Sequence, residues 1–227
     1  MLLLNRKDIQ SVFTMKESIE AVKKAFMLYS QGKSEVPLRT NIQASKHNGT
    51  LLFMPAYVED IDCASLKIVN IFPDNVKSGL PTAPAQVLLI DAKTGLVSAV
   101  LDGTYVTQLR TGAASGAAFD ALARKDAKVG ALIGTGGQAA TQLEAMLCAR
   151  NLETVRIFDL DPERLNAFVE RMRQELGSYG AELIAAASSD EAVEGADILV
   201  TMTPSLKPVF NADKVKPGCT VSCVGAY

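Results

Sequence analysis

Three cationic residues stand among apolar or small neighbours, where a charged side chain is unusual. Lys67 lies inside an apolar strand-like run, Arg110 opens a run of small residues, and Arg39 follows a proline–leucine pair. A lysine in such a strand is partly desolvated, which lowers its pKa and lets it donate a proton near neutral pH. The planar fork of arginine binds a carboxylate through two hydrogen bonds. These residue types fit a proton donor and two carboxylate ligands, although each is also explained as a surface cation with its stem on apolar neighbours.

A glycine-rich turn, Gly134-Thr-Gly-Gly-Gln-Ala139, stands between an apolar strand-like run and a helical run. In the spacing G-x-G-x-x-A, the first glycine allows the tight turn and the second lets the backbone approach a pyrophosphate. The small third residue lets helix and strand pack closely, and the free N–H groups at the helix start receive the phosphates. Glycine-rich turns are common, but in this context the turn predicts a dinucleotide-binding site.

Asp159 ends the next strand-like run, where dinucleotide-binding sites carry an acidic residue. Its carboxylate can accept both ribose hydroxyls of NAD and would repel the 2′-phosphate of NADP. The alternative role for Asp159 is to cap the following helix. Arg164 could serve a 2′-phosphate, but it lies inside that helix rather than directly after the strand. We therefore expect NAD as the cofactor, with NADP less favoured.

The composition is that of an ordinary globular chain. Of 227 residues, 48% are apolar and 21% are charged, and 23 basic against 25 acidic residues give a net charge of −2. That balance argues against nucleic acid as a partner, and no apolar run reaches the ~18 residues of a membrane span. The four cysteines form no CxxC pair and His47 is the only histidine. We expect no metal site, free thiols and a cytoplasmic location.

The two halves of the chain differ in the order of their predicted elements. The first half combines a helix between Thr14 and Gly32 with short strands, expected at 51–54, 65–71, 86–90 and 97–101. A hairpin loop at 91–95 joins the last two strands. This pattern predicts an α+β half with an antiparallel or mixed sheet.

From about Lys125 strands and helices alternate, which predicts a parallel sheet with right-handed crossovers. The strands are expected at 129–133, 154–158, 182–186, 198–202 and 220–224, and the helices at 138–150 and 162–176. Between the halves, the small residues at 112–118 suit a helix packed closely against another backbone.

Five segments, in order along the chain, resemble the ornithine cyclodeaminase/mu-crystallin family. They are Lys67–Asn75, Gly79–Thr82, Asp102-Gly103, Leu109–Gly116 and Gly134–Gln138. The family includes ornithine cyclodeaminases, archaeal-type alanine dehydrogenases and imine or ketimine reductases. The resemblance implies an α/β fold with an α+β substrate and dimerisation domain, residues 1–118, and a Rossmann-like NAD(P)-binding domain, residues 119–227. It also implies a homodimer.

The resemblance further implies roles for individual residues. Arg39, Lys67 and Arg110 would surround the substrate carboxylate and the reacting nitrogen, with Lys67 and Arg110 as catalytic residues. The residues implied or predicted to bind the cofactor are Thr82, Thr111, Gly134, Gly136, Gly137, Gln138, Asp159 and Thr201. The implied reaction is hydride transfer between the nicotinamide and the α-carbon of an amino acid or its imine.

Two departures from the family pattern bear on the choice within it. Family members are longer than this chain, so we expect it to lack the sixth Rossmann strand and the segment that completes the first domain. Cyclodeaminases carry an aspartate where this chain has Tyr227, which favours a reductase or dehydrogenase. An ornithine cyclodeaminase, converting ornithine to proline and ammonia, and a non-enzymatic mu-crystallin-like binding protein stay open as alternatives.

Overall fold

The computed structural model describes residues 1–225 and divides into two compact units. The first unit comprises residues 1–14 and 21–109, and the second comprises residues 15–20 and the chain from residue 110 onward. No helix within residues 1–225 combines the length and the apolar character needed to cross a membrane. All four cysteines are free thiols.

A seven-stranded sheet forms the body of the first unit. Its strands are β1 (Leu2–Leu4), β2 (Ser34–Glu35), β3 (Thr40–Ala44), β4 (Gly49–Val58), β5 (Cys63–Ile71), β6 (Ala85–Asp91) and β7 (Val97–Asp102). They pair in the order β1-β7-β6-β5-β4-β2, and β3 also pairs with β4. β1 is parallel to β7 and the other pairs are antiparallel. The four predicted strands are confirmed as β4 to β7, whereas β1, β2 and β3 were not predicted.

Local hydrogen bonds explain the turns and helix starts of this unit. In the predicted hairpin loop, Asp91 Oδ1 accepts the N–H groups of Lys93 at 2.8 Å and Thr94 at 3.1 Å. Helix α1 (Arg6–Val12) begins with a capping box, which was not predicted, formed by Asn5 and Asp8. Helix α2 (Met15–Ser30) is the predicted helix of this half.

Five parallel strands form the sheet of the second unit: β8 (Val129–Ile133), β9 (Thr154–Phe158), β10 (Glu182–Ala185), β11 (Ile198–Thr201) and β12 (Thr220–Cys223). Their order is β10-β9-β8-β11-β12. The chain order reverses at β8, and in such sheets ligands bind outside the carboxyl ends of the strands at the reversal. The predicted Rossmann-like parallel sheet is therefore confirmed.

The central strands β8 and β11 are mostly apolar, because both faces of the sheet are covered there. On one face Leu132 and Val200 pack with Leu143 of helix α4 (Ala139–Ala149) and with residues of helix α5 (Pro162–Leu176). On the other face Ile133 packs with Val193 of the short helix α6 (Ser189–Val193). Neighbouring strand residues thus point into two different apolar clusters.

Helix α3 (Gly103–Leu122) carries the small residues that were predicted to allow close packing. A Cβ at Gly112 would collide with the carbonyl oxygen of Thr141 on α4. At Gly116 it would lie 2.6 Å from Ile19 Cδ1 and 3.3 Å from Ala145 Cβ. The prediction of close helix packing is confirmed, because these glycines bring the backbone of α3 directly against α4.

We expect Gly112→Ala to lower the free energy of unfolding by about 1–3 kcal/mol, since the added methyl group overpacks the α3–α4 contact. The matched control is Gly177→Ala, where a Cβ would have no neighbour within 4 Å. That control should change stability by no more than about 0.5 kcal/mol. Urea denaturation followed by circular dichroism measures both, and equal stability of the two variants would contradict this packing account.

Candidate functional site

The glycine turn follows β8, and both its backbone and its surroundings require glycine. Gly134 has φ +98°, and a Cβ there would lie 2.7 Å from the carbonyl oxygen of Met202, just after β11. At Gly136 a Cβ would meet no atom within 4 Å, so this backbone is open to a ligand. Ala139, the small third position of the pattern, is fully buried at the start of α4. The turn thus combines tight packing at its two ends with an accessible middle.

Asp159 follows β9 and is buried, with 8% of its surface exposed. Its Oδ2 accepts the N–H of Thr135 at 2.8 Å and the hydroxyl of Thr135 at 2.7 Å. Its Oδ1 accepts the N–H of Asp161 at 3.0 Å and Nη2 of Arg164 at 2.5 Å. Burial alone would raise the pKa of Asp159, but the hydrogen bonds from Arg164, Thr135 and Asp161 lower that pKa to about 2. The carboxylate is therefore ionised at neutral pH and bonded to Thr135, the second residue of the glycine turn.

The residue that caps helix α5 is Asp161 and not Asp159. Asp161 occupies the N-cap position, and its Oδ1 accepts the N–H of Arg164 at 3.1 Å. The capping alternative for Asp159 is therefore wrong. Arg164 does lie within α5, but in its first turn, and its side chain reaches back to Asp159. This contact was not evident from the position of Arg164 in the predicted helix.

Two buried polar atoms near the turn have no hydrogen-bond partner within residues 1–225: Oε1 of Gln138 and Oγ1 of Thr201. Thr201 is fully buried at the end of β11, where it pairs with Ile133, the residue before the turn. A buried polar atom without a partner costs free energy, so a ligand that donates hydrogen bonds at this edge would be favoured. The glycine turn, Gln138, Asp159 and Thr201 all belong to the second unit, and their roles in binding a cofactor stay predictions.

Thr135 is a site residue that the sequence reasoning missed. It is buried, and it supplies two of the four hydrogen bonds to Asp159. The available signal was a hydroxyl side chain between the first two glycines of the turn, next to the strand edge that carries the acidic residue.

The predicted site residues that lie in the first unit are Lys67, Arg39 and Thr82. Lys67 lies half-buried in β5, opposite Met54 on β4 and Val87 on β6. Arg39 is exposed directly before β3. Thr82 is exposed in the loop before β6, and its carbonyl accepts the N–H of Phe72 at 2.9 Å. The placement of Lys67 in a central strand agrees with the environment that the sequence predicted for it.

Arg110 and Thr111 are neighbours on α3, two residues and one residue before Gly112. Arg110 keeps an exposed surface, while the protein around its guanidinium lowers the pKa of Arg110 by burial. Arg110 forms no ion pair with a carboxylate in the described part of the chain. Such a cation, partly desolvated and without a counter-ion there, is suited to binding a carboxylate ligand. Tyr227, which bears on the choice between reductase and cyclodeaminase, lies outside the described residues.

The sequence and the fold of the whole chain are similar to those of known proteins. The model of the ornithine cyclodeaminase/mu-crystallin family matches residues 1–227. An alanine dehydrogenase of Archaeoglobus fulgidus is 39% identical over 99% of this chain and 67% of its own length. A Delta(1)-pyrroline-2-carboxylate reductase of Bacillus cereus is 34% identical over 100% of this chain and 69% of its own length.

A solved structure, Thermococcus litoralis Delta(1)-pyrroline-2-carboxylate reductase in complex with NADH and L-proline, has the same fold. It matches with a TM-score of 0.93 and 43% sequence identity, over 99% of this chain and 69% of that one. This chain thus spans between 67% and 69% of the length of the relatives described.

The depressed pKa of Asp159 predicts a pH-dependent stability. The folded value is about 2 against an ordinary value of 3.8, so the ionised carboxylate stabilises the fold above about pH 4, and this contribution is lost as the pH falls towards 2. We expect Asp159→Asn to cost about 2 kcal/mol at neutral pH. The loss should shrink as denaturation is repeated from pH 5 down to pH 3. Asp213→Asn, at an exposed position, is the control, and a pH-independent loss in Asp159→Asn would contradict the assignment.

Proposed function

Because the chain belongs to the ornithine cyclodeaminase/mu-crystallin family, we propose that it is an NAD(P)-dependent oxidoreductase that acts on an amino acid or its cyclic imine. The observation that carries the proposal is the buried, ionised Asp159 joined to an open glycine turn at the reversal point of a parallel sheet. Relatives at 34–39% identity are named as a reductase and a dehydrogenase of this kind. The expected activity is therefore that of a ketimine or imino acid reductase, or that of an alanine dehydrogenase.

The residues present fit a dinucleotide. The open backbone at Gly136 would receive the pyrophosphate, the ionised Asp159 would accept ribose hydroxyls, and the buried oxygens of Gln138 and Thr201 would gain partners. An acidic residue at this position favours NAD over NADP, and the similar Thermococcus litoralis structure is a complex with NADH. When bound, NADH supplies the hydride that reduces a C=N bond.

The chain's own side chains would orient the substrate and move a proton. Arg39 and Arg110 would bind the substrate carboxylate, and such positioning lowers the barrier as effectively as a proton donor does. Lys67 would donate a proton from Nζ to the imine nitrogen while the α-carbon accepts hydride, so the C=N bond becomes a C–N single bond. In the oxidative direction Lys67 would accept that proton.

The family resemblance implies the assembly and the domain roles, and the composition of the chain favours a cytoplasmic location. Substrate binding and dimerisation by residues 1–118, cofactor binding by residues 119–227, a homodimeric state and a cytoplasmic location all stay predictions. Sedimentation equilibrium tests the dimer, and a single monomeric mass at micromolar concentration would contradict it.

Lys67→Met should nearly abolish reduction while NADH still binds, because the variant keeps a similar stem but loses the proton. A general acid contributes about 10²–10⁴-fold, and a loss in that range is expected. The assay follows NADH absorbance with Δ1-pyrroline-2-carboxylate, Δ1-piperideine-2-carboxylate, and pyruvate plus ammonia, with L-ornithine run in parallel. Lys46→Met, on an exposed residue of the first unit, is the control. Full activity of Lys67→Met on every substrate would refute the mechanism, and conversion of ornithine to proline without net NADH change would identify a cyclodeaminase.

Arg110→Lys should raise KM with a smaller effect on kcat, because it keeps the charge and loses the two-pronged grip on a carboxylate. The loss in binding should be about 2–4 kcal/mol, the scale of a truncated charged contact. Arg124→Lys, on an exposed arginine just after α3, provides the comparison in the same steady-state assay. An unchanged KM in Arg110→Lys would show that Arg110 does not hold the substrate.

A further inference from the structure

We propose that Arg164 determines how strongly this chain discriminates between NADH and NADPH, through its ion pair with Asp159. The inference rests on the proposed function and deepens it, since it concerns the residue that sets cofactor choice. Arg164 and the ribose of the cofactor would compete for the same group, because Arg164 already donates a hydrogen bond to the Asp159 carboxylate.

Each oxygen of Asp159 already accepts two hydrogen bonds. Oδ2 is held by the N–H and hydroxyl of Thr135 inside the glycine turn, and Oδ1 by the N–H of Asp161 and by Arg164. Two of the four donors are backbone groups, and the Thr135 hydroxyl belongs to a buried residue. The Arg164 side chain, in contrast, is 56% exposed. Of these four donors, Arg164 is therefore the one that can move without displacing the turn, and a ribose hydroxyl would replace it on Oδ1.

The charge of Arg164 has the opposite effect on a 2′-phosphate. An ionised carboxylate repels that phosphate, which is the basis of NAD preference. The guanidinium lies 2.5 Å from Asp159 Oδ1, so it offsets the carboxylate charge at the place where the phosphate would lie. The residue directly after the strand, Leu160, is 89% exposed and carries no charge. Arg164 is thus the cation beside Asp159 that is placed to receive a 2′-phosphate.

The two effects combine into one prediction about affinity. With Arg164 present, the ribose of NADH must displace Arg164 from its ion pair with Asp159. The 2′-phosphate of NADPH instead gains a cation as its partner. Without it, Oδ1 is open to the ribose of NADH, and NADPH meets an uncompensated carboxylate. Arg164 therefore lowers the ratio of NADH affinity to NADPH affinity below the value that Asp159 alone would give.

The test compares Arg164→Gln and Arg164→Lys with Arg171→Gln, which removes the same charge from an exposed position of the same helix. Dissociation constants for NADH and NADPH are measured by isothermal titration calorimetry on the whole chain, and thermal unfolding without cofactor verifies that each variant folds. In Arg164→Gln we expect NADPH affinity to fall about tenfold or more, the scale of a charged hydrogen bond. NADH affinity should stay the same or rise. Arg164→Lys should recover part of the NADPH affinity, and Arg171→Gln should leave the ratio unchanged.

The outcomes separate this inference from the proposed function. An unaltered NADH to NADPH ratio in Arg164→Gln, with NADH binding intact, overturns the inference and leaves the proposed function standing. Equal losses of both cofactors in Arg164→Gln would also overturn it, because they would mark a structural role only. If the wild-type chain binds neither cofactor, the proposed function fails and the inference fails with it.

Discussion

A buried carboxylate needs donors for its charge, and the way Asp159 obtains them organises the second unit. Its oxygens accept hydrogen bonds from the turn after β8 through Thr135 and from the start of α5 through Asp161 and Arg164. Two strands and a helix are thereby fixed to one charged group whose pKa is held at about 2. In the proposed function, the charge that stabilises the turn also takes part in selecting the cofactor.

The position of Arg110, the proposed carboxylate-binding residue, depends on packing rather than on charge. Gly112, two residues further along α3, brings that helix against the Thr141 carbonyl of α4. Helix α4 begins directly after the glycine turn, so the same close contact fixes Arg110 and Thr111 relative to that turn. A reaction that depends on orientation over a nicotinamide loses rate when such a relation shifts by about 1 Å. In the proposed function, the run of small residues would therefore affect catalysis as well as packing.

Many of the strands and helices could be predicted from the sequence, and the elements and contacts that were not predicted have physical reasons. Strands β8 and β9 and helix α5 begin and end where predicted. Strand β8 is buried on both faces and leaves a continuous apolar run between turn residues. Helix α5 buries Leu165, Phe168, Val169 and Met172 at helical spacing. Strand β3 lies almost wholly exposed, so no buried face imposes a pattern, and α6, with five residues, is too short for a helical period. In the site, the glycine turn and Asp159 were evident from spacing. The bonds of Asp159 to Thr135 and Arg164 depend on tertiary folding, and spacing alone does not reveal them.

In the proposed function, this chain transfers hydride between a nicotinamide and the α-carbon of an amino acid, with Asp159 and the glycine turn holding the cofactor. The most direct measurement uses NADH carrying deuterium at the reactive C4 position, with Δ1-pyrroline-2-carboxylate as substrate and mass spectrometry of the product. Two preparations, one for each face of the nicotinamide, cover both stereochemical courses. We expect one of them to yield proline with a single deuterium on the α-carbon, matched by an equal amount of NAD⁺. Proline without deuterium from both preparations, or no amino acid product from this or any other imino acid tested, would contradict hydride transfer by this chain.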